Sequence, residues 1–259
     1  MSLLVNAALA AKQLLYGEKG EPYRIAGQTL RFLPGTRPVR LKYATGAEGV
    51  SRYDALEIMF FQRSISAGDV VFDLGAHAGQ YAILMSALTG PTGEVVAFEP
   101  DPYARSLFKK NIALNPTIKP PRIEAAAVSD MPGEHEFFSA GGNANSSLVR
   151  SGLNVAAAEA FTVPVVTLDD YVGASGLSPK WIKIDTEGAE IRILKGAKEV
   201  LAGEAGILVE LHPYAWEEFG DTYEELKRIV SASGRRMRFL DQEGEMDEVR
   251  YGVVSLERA

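Results

Sequence analysis

The side chains best suited to handle a proton in this chain are Asp185 and His212, with Lys183 beside them. Asp185 closes the apolar run Trp181-Ile182-Lys183-Ile184, and His212 closes Ile207 to Leu211. Imidazole titrates closest to neutrality, so His212 suits a general base that removes a proton from a hydroxyl, and Asp185 is the rival for that role. Lys183 lies two residues before Asp185, on the same face of a strand. It either orients Asp185 or an acceptor oxygen, or it snorkels out of the sheet. Asp185, Glu210 and His212 together also make a donor set for a hard or borderline divalent cation. Plainer roles stand beside these: Asp185 as a helix cap or a partner for an amino group, and His212 as a turn histidine before Pro213.

A second constellation lies earlier. Val70-Val71-Phe72-Asp73-Leu74 runs into Gly75-Ala76-His77-Ala78-Gly79 and then into the apolar segment from Gln80 to Leu88. This reads as strand, tight turn and buried helix. Gly75 and Gly79 let the backbone bend and approach a ligand, and Ala76 and His77 offer backbone groups between them. Glu99-Pro100 ends the next strand, Glu94 to Phe98, where a carboxylate accepts hydrogen bonds from two ribose hydroxyls. The spacing is Asp-x-Gly-x-x-x-Gly rather than G-x-G-x-x-G, so the third glycine of a dinucleotide site is missing. A carboxylate at Asp73, placed in the turn, favours an ammonium-bearing ligand over a pyrophosphate, and S-adenosylmethionine is such a ligand. The bland alternative has Asp73 capping the turn. After a third strand, Arg122 to Val128, Ser129 and Asp130 are expected beside the adenine or in an ordinary turn.

These residues need a doubly wound, mostly parallel α/β sheet, whose strand ends carry ligands. The alternation of strands and helices supplies it. Helical spacing covers Ser51 to Ser64, where Glu57 is expected to face solvent, the stretch after Asp101-Pro102, and Ile191 to Leu201 as one helix. Thr222 to Glu225 forms a capping box. The last strands, Arg236 to Leu240 and Tyr251 to Leu256, are close enough to be antiparallel, joined by an acidic loop, Asp241 to Glu248. Ahead of the core, residues 1–50 are expected to form an N-terminal helix and a β appendage, with strands around Tyr23, Leu30 and Val39 to Tyr43. Residues 51–259 form the main domain, with a β-rich excursion at about 134–168 whose polar tip, Gly141 to Ser147, lies over a substrate or on the surface.

The 259 residues are 46% hydrophobic and 24% charged, which excludes disordered and fibrous classes. A formal charge of −7 argues against nucleic acid as a partner. There is no cysteine, which excludes disulfides, thiolate metal sites and cysteine nucleophiles. Met1 to Leu15 lacks a positive n-region and a cleavage site, and no run of eighteen apolar residues occurs, so no membrane span and cytoplasmic residence are expected.

From the helix before Val70 to His212 the chain resembles the FkbM-type family of S-adenosylmethionine-dependent methyltransferases. The resemblance rests on Val71 to Gly79, Val96 to Pro100, Leu168-Asp169-Asp170-Tyr171, Ile182-Lys-Ile-Asp-Thr-Glu-Gly-Ala-Glu190 and Glu210-Leu-His-Pro213. His77 stands where members usually carry asparagine. The resemblance implies a class I, Rossmann-like methyltransferase acting on a hydroxyl of a sugar, glycan or polyketide-type small molecule. Three other readings compete with it. One is a metal-assisted O-methyltransferase using Asp185, Glu210 and His212, another an NAD-dependent oxidoreductase, and the last a non-catalytic S-adenosylmethionine-binding module.

Overall fold

The structure, a computed structural model, describes residues 3–25, 27–36, 52–139, 146–149, 159–241 and 249–259. The chain opens with helix α1 (Leu3–Tyr16) and a hairpin of β1 (Glu21–Ile25) and β2 (Gln28–Phe32), followed by α2 (Arg52–Ser64). The alternating core then runs β3 (Val70–Leu74), α3 (Gln80–Thr89), β4 (Glu94–Phe98), α4 (Pro102–Ala113), β5 (Arg122–Glu124), β6 (Ala127–Val128), β7 (Gly133–Ser139) and β8 (Glu159–Val166). It continues with α5 (Leu168–Ser175), β9 (Trp181–Ile184), α6 (Glu190–Lys195), α7 (Lys198–Ala202), β10 (Gly206–Leu211), α8 (Trp216–Phe219), α9 (Tyr223–Ala232), β11 (Arg235–Phe239) and β12 (Gly252–Arg258).

Seven strands form one sheet in the order β11-β12-β10-β9-β3-β4-β5. The strands from β10 to β5 are parallel, and β12 is antiparallel to both β10 and β11. The sheet is the doubly wound one expected, and its last strand is antiparallel as expected. Its central strands carry apolar side chains on both faces because helices cover both. Phe72, Phe98, Ile182 and Val209 pack with Ile191, Leu194 and Leu226 on one side. Val71, Val95, Ala97 and Leu208 pack with Phe61 of α2, Leu84 of α3 and the hairpin residues Leu30 and Phe32 on the other.

The hairpin is tied to α4 by two buried asparagines. Asn115 accepts the Arg31 N–H at 2.8 Å and donates to Arg31 O at 2.7 Å. Asn111 accepts the Leu33 N–H at 2.8 Å and donates to Ala78 O, inside the glycine turn, at 2.8 Å.

Several expected boundaries change. The single strand from Arg122 to Val128 is two: β5 ends the main sheet, whereas β6 joins β8 and β7 in a separate three-stranded sheet. The single helix from Ile191 to Leu201 is also two. Gly196 packs so tightly that a Cβ there would stand 2.6 Å from Ser129 O, and α7 starts afresh where the Asp169 carboxylate accepts the N–H groups of Glu199 and Val200. The β-rich excursion consists of β7 and β8, paired antiparallel. The expected strand at Val39 to Tyr43, the tip from Gly141 to Asn145 and most of the Asp241 to Glu248 loop lie outside the described residues. Among the described residues, no helix is long and apolar enough to cross a membrane.

Candidate active site

At the carboxyl end of β3 the backbone turns through two residues of positive φ, Gly75 at 87° and His77 at 48°, and then a third, Gly79 at 77°, which caps α3. Only glycine fits at the first and last. A Cβ on Gly75 would lie 1.8 Å from Asp185 O, and one on Gly79 would lie 1.9 Å from the Phe108 ring. The amides of Gly75 and Ala76 both donate to Phe98 O at 3.0 Å, which draws the turn toward the end of β4. There Glu99 accepts the His77 N–H at 2.6 Å on one oxygen and the Asp101 N–H at 2.8 Å on the other. His77 thus contributes its backbone, whatever its side chain. Burial raises the Glu99 carboxyl to about 7 against the pull of those two amides.

Between this turn and Glu99 lies a cleft lined by Gly75, His77, Glu99, Pro100, Val128, Asp185 and Glu187 among others. The excursion closes its far side through Phe137, Ser146, Ser147 and Leu148. Two hydroxyls hold it there, Ser139 donating to Asp101 Oδ2 at 2.5 Å and Ser146 donating to the same oxygen at 3.3 Å.

Asp73 is not in the turn. It sits inside β3, 1% exposed, opposite Lys183 in the register, and it does not line the cleft. Of hydrogen-bond donors, Asp73 has only the Ala82 amide acting on it and no fully formed hydrogen bond, and Gln80 Oε1 and Thr186 Oγ1 are unsatisfied as well. Burial, against the pull of Lys183, lifts Asp73 to about 6. Of Asp73, Gln80 and Thr186, only Thr186 lines the cleft, and its unpaired hydroxyl beside a turn that no Cβ could enter at Gly75 fits a polar ligand seated against the backbone. Ser129 and Asp130 are elsewhere. They line a neighbouring depression with Met131 and Arg192, where Ser129 donates to Asp130 at 3.2 Å and Asp130 lies 3.5 Å from Arg192. The strand break after β5 carries them off the main sheet and away from the Glu99 cleft.

β9 and β10 are parallel neighbours, so their ends place Asp185 and His212 together. His212 Nε2 is 3.8 Å from Asp185 Oδ1 and 3.8 Å from Glu187 Oε1. His212 Nδ1 is 2.9 Å from Glu190 Oε1, and Glu190, fully buried, also accepts from the Gly188 amide and the Trp216 indole at 2.8 Å each. Burial opposes charge on His212, but Glu190, Asp185 and Glu187 outweigh it and push the imidazole up to about 10. Lys183 does not snorkel. Its side chain is 1% exposed, its Nζ donates to Asp185 Oδ2 at 2.7 Å, and it stands 4.6 Å over the Tyr81 ring. Burial works against the Asp185 carboxylate as well, yet Lys183, and after it His212, holds it below the usual range.

Glu57 is not solvated either. The α2 stripe is turned so that Glu57 is 1% exposed, with Oε1 3.9 Å from Lys183 Nζ, while Met59 is 42% exposed. Glu210 is drawn to Tyr251, whose hydroxyl donates to it, and burial raises it to about 7. Among the described residues, the donors close enough together to hold a cation are Asp185, Glu187 and His212, so Glu187 takes the place expected of Glu210.

Sequence reasoning missed Glu187, Glu190, Tyr214 and Tyr251. Glu187 had a signal, since Thr186-Glu187-Gly188 follows a strand as a second turn. Its φ of 53°, unusual for a residue with a side chain, aims the carboxylate at His212.

A Methyltransferase FkbM domain matches residues 73–239, more than half of the chain. The chain is 27% identical over 147 residues to the hexuronic acid methyltransferase AglP of Haloferax volcanii, covering 56% of each. It is 29% identical over 160 residues to the 31-O-demethyl-FK506 methyltransferase FkbM of Streptomyces tacrolimicus, covering 51% of this chain and 60% of that protein. The chain thus spans little more than half the length of these curated relatives. A crystal structure of methyltransferase FkbM from Methylobacillus flagellatus superposes with a TM-score of 0.47 at 14% identity, over 73% of this chain and 43% of that one. The match across β3, the Glu99 strand, Asp185 and His212 is the decisive one: this chain belongs to the FkbM methyltransferase domain family.

Proposed function

We propose that this protein is an S-adenosylmethionine-dependent O-methyltransferase that methylates a hydroxyl of a sugar, glycan or polyketide-type small molecule. The observation that carries the reading is the adjacency of two built halves: a cleft between the Gly75 turn and Glu99, and, through Asp185 and Glu187 on its wall, the His212 imidazole 3.8 Å away. S-adenosylmethionine, bound in the cleft, supplies an activated methyl group. Gly75, Ala76, His77, Gly79 and Pro100 shape its seat, Glu99 accepts the ribose hydroxyls, and the buried carboxylate of Asp73 sets the charge beneath it. Asp185, held by Lys183, accepts the acceptor hydroxyl and aligns it, and His212 Nε2 takes its proton while Glu190 fixes the ring through Nδ1. The acceptor class is supported by the names of the two curated relatives, one a hexuronic acid methyltransferase and the other a 31-O-demethyl-FK506 methyltransferase.

The test is incubation with methyl-labelled S-adenosylmethionine and a panel of hydroxylated glycans and macrolides. Label is expected on an acceptor oxygen. Binding of a nicotinamide cofactor with S-adenosylmethionine ignored would overturn the assignment. The closeness of Asp185, Glu187 and His212 favours a second reading, in which a divalent cation on these three lowers the acceptor hydroxyl's pKa. Activity that survives chelation removes it.

A further inference from the structure

Beside His212, where the ends of β10 and β12 meet, two tyrosines stand at the surface with their rings nearly parallel. Tyr214 and Tyr251 are 50% and 39% exposed, their centroids are 6.5 Å apart at an interplanar angle of 27°, and each meets the His212 ring edge-on at 5.6 Å and 5.5 Å. Their hydroxyls are turned toward carboxylates. Tyr214 donates to Glu187 Oε2 at 2.9 Å, and Tyr251 donates to Glu210. Burial and those carboxylates push both phenols above their ordinary pKa, so both stay donors and both rings are pinned from the hydroxyl end. What the pair presents outward is apolar ring face, anchored at little entropic cost.

Among the described residues, the groups around this pair are mostly acidic. Asp185, Glu187, Glu190 and Glu210 ring the site, and the cations acting on Asp185, Glu187 and Glu210 are Lys183 and His212, each already engaged by a carboxylate. Carboxylates accept hydrogen bonds and never donate them when ionised. A hydroxyl-rich molecule satisfies them, whereas a molecule bearing its own carboxylate meets like charge in a partly desolvated site.

Resting on the methyltransferase reading above, we infer that Tyr214 and Tyr251 form the acceptor platform, and that the acceptor docked there is a neutral polyhydroxylated ring rather than an acidic one. The ring's apolar C–H face lies on the tyrosines, its hydroxyls donate to Glu187 and Glu210, and one hydroxyl reaches Asp185 and His212. Acceptor selection then differs from the one in the name of the hexuronic acid methyltransferase AglP, to which the chain is 27% identical over 147 residues.

The experiment pairs neutral methyl hexosides (gluco, galacto, manno and rhamno) with the matching methyl uronides. The full chain is loaded with S-adenosylhomocysteine, and saturation-transfer NMR is run with and without magnesium. Transfer to ring C–H protons of at least one hexoside is expected, with its uronide binding about tenfold more weakly or not at all. Y214A/Y251A should abolish that transfer and Y214F/Y251F should keep it, with S-adenosylhomocysteine affinity retained and the chain still folded at the assay temperature in both. Uronides binding as well as hexosides, transfer to none of the probes, or transfer that survives Y214A/Y251A each overturns the platform while leaving the methyltransferase reading intact. Failure of S-adenosylhomocysteine to bind the wild-type chain overturns that reading first.

Discussion

The two halves of the site are built from different materials. On the β3–β4 side, position is set by main chain: three residues of positive φ, amides of Gly75 and Ala76 on Phe98 O, and amides of His77 and Asp101 on Glu99. On the β9–β10 side it is set by side chains that come from four elements and the turn before α6: Lys183 and Asp185 from β9 and its end, Glu57 from α2, Glu187 from the turn, Glu190 from α6, and His212 from the end of β10. Main-chain geometry is local and tolerates side-chain change, as His77 illustrates. An ionic cluster in a buried setting is a collective property, in which removing one partner strands another.

Breaking the cluster should cost most in rate. Asp185→Asn removes the charge that faces both Lys183 and His212, and turnover is expected to fall about 10²- to 10⁴-fold with cofactor affinity within a few-fold of wild type. Radiolabel transfer and calorimetric titration of S-adenosylhomocysteine, run on the same sample, separate the two effects; a parallel loss of affinity would mean that the halves are not distinct.

On the main-chain side, Glu99→Ala should do the reverse. It removes the acceptor proposed for two ribose hydroxyls and leaves the His77 and Asp101 amides bare, so affinity should fall roughly 10- to 100-fold. Turnover at saturating cofactor should barely move.

A third change sharpens the comparison through pH. His212 sits near 10, so the base form grows as pH rises from 7, and turnover should climb toward that value. Glu190→Gln removes the largest of the charges raising it, and the rising limb should move to lower pH by about one unit. The linkage has a definite sign. A histidine whose pKa is raised on folding stabilises the fold below its ordinary value near 6.5 and loses that contribution as pH climbs through about 10. The stability difference between wild type and Glu190→Gln in thermal melts should therefore narrow as pH climbs through about 10. The smallest effect belongs to Asp130→Asn, outside the cleft, which should change cofactor affinity less than about twofold.

That division also explains what was readable in the sequence. The β3 turn and Glu99 are encoded in contiguous residues whose types admit few conformations, and the alternation of apolar runs with capped helices gave the sheet. Asp101-Pro102 opens α4, with Asp101 accepting the Tyr103 N–H at 2.8 Å, as their types imply. The Lys183 environment is different. Glu57 lies outside any glycine turn or strand end and only the rotation of α2 against the sheet carries it inward, so position along the chain pointed it at solvent. Ser129 and Asp130 lie off the main sheet for a related reason. A strand read as continuous from Arg122 to Val128 is divided because Ala127 and Val128 pair with β8, a partner almost forty residues away.

Asn111 gives the amino-terminal hairpin a hand in shaping the glycine turn. One side chain grips Leu33 and Ala78 together, so the turn in which the proposed cofactor sits is braced from a segment ahead of the family match. A shortened chain starting at α2 would retain every residue that lines the cleft and still hold its ligand loosely, for want of a strut.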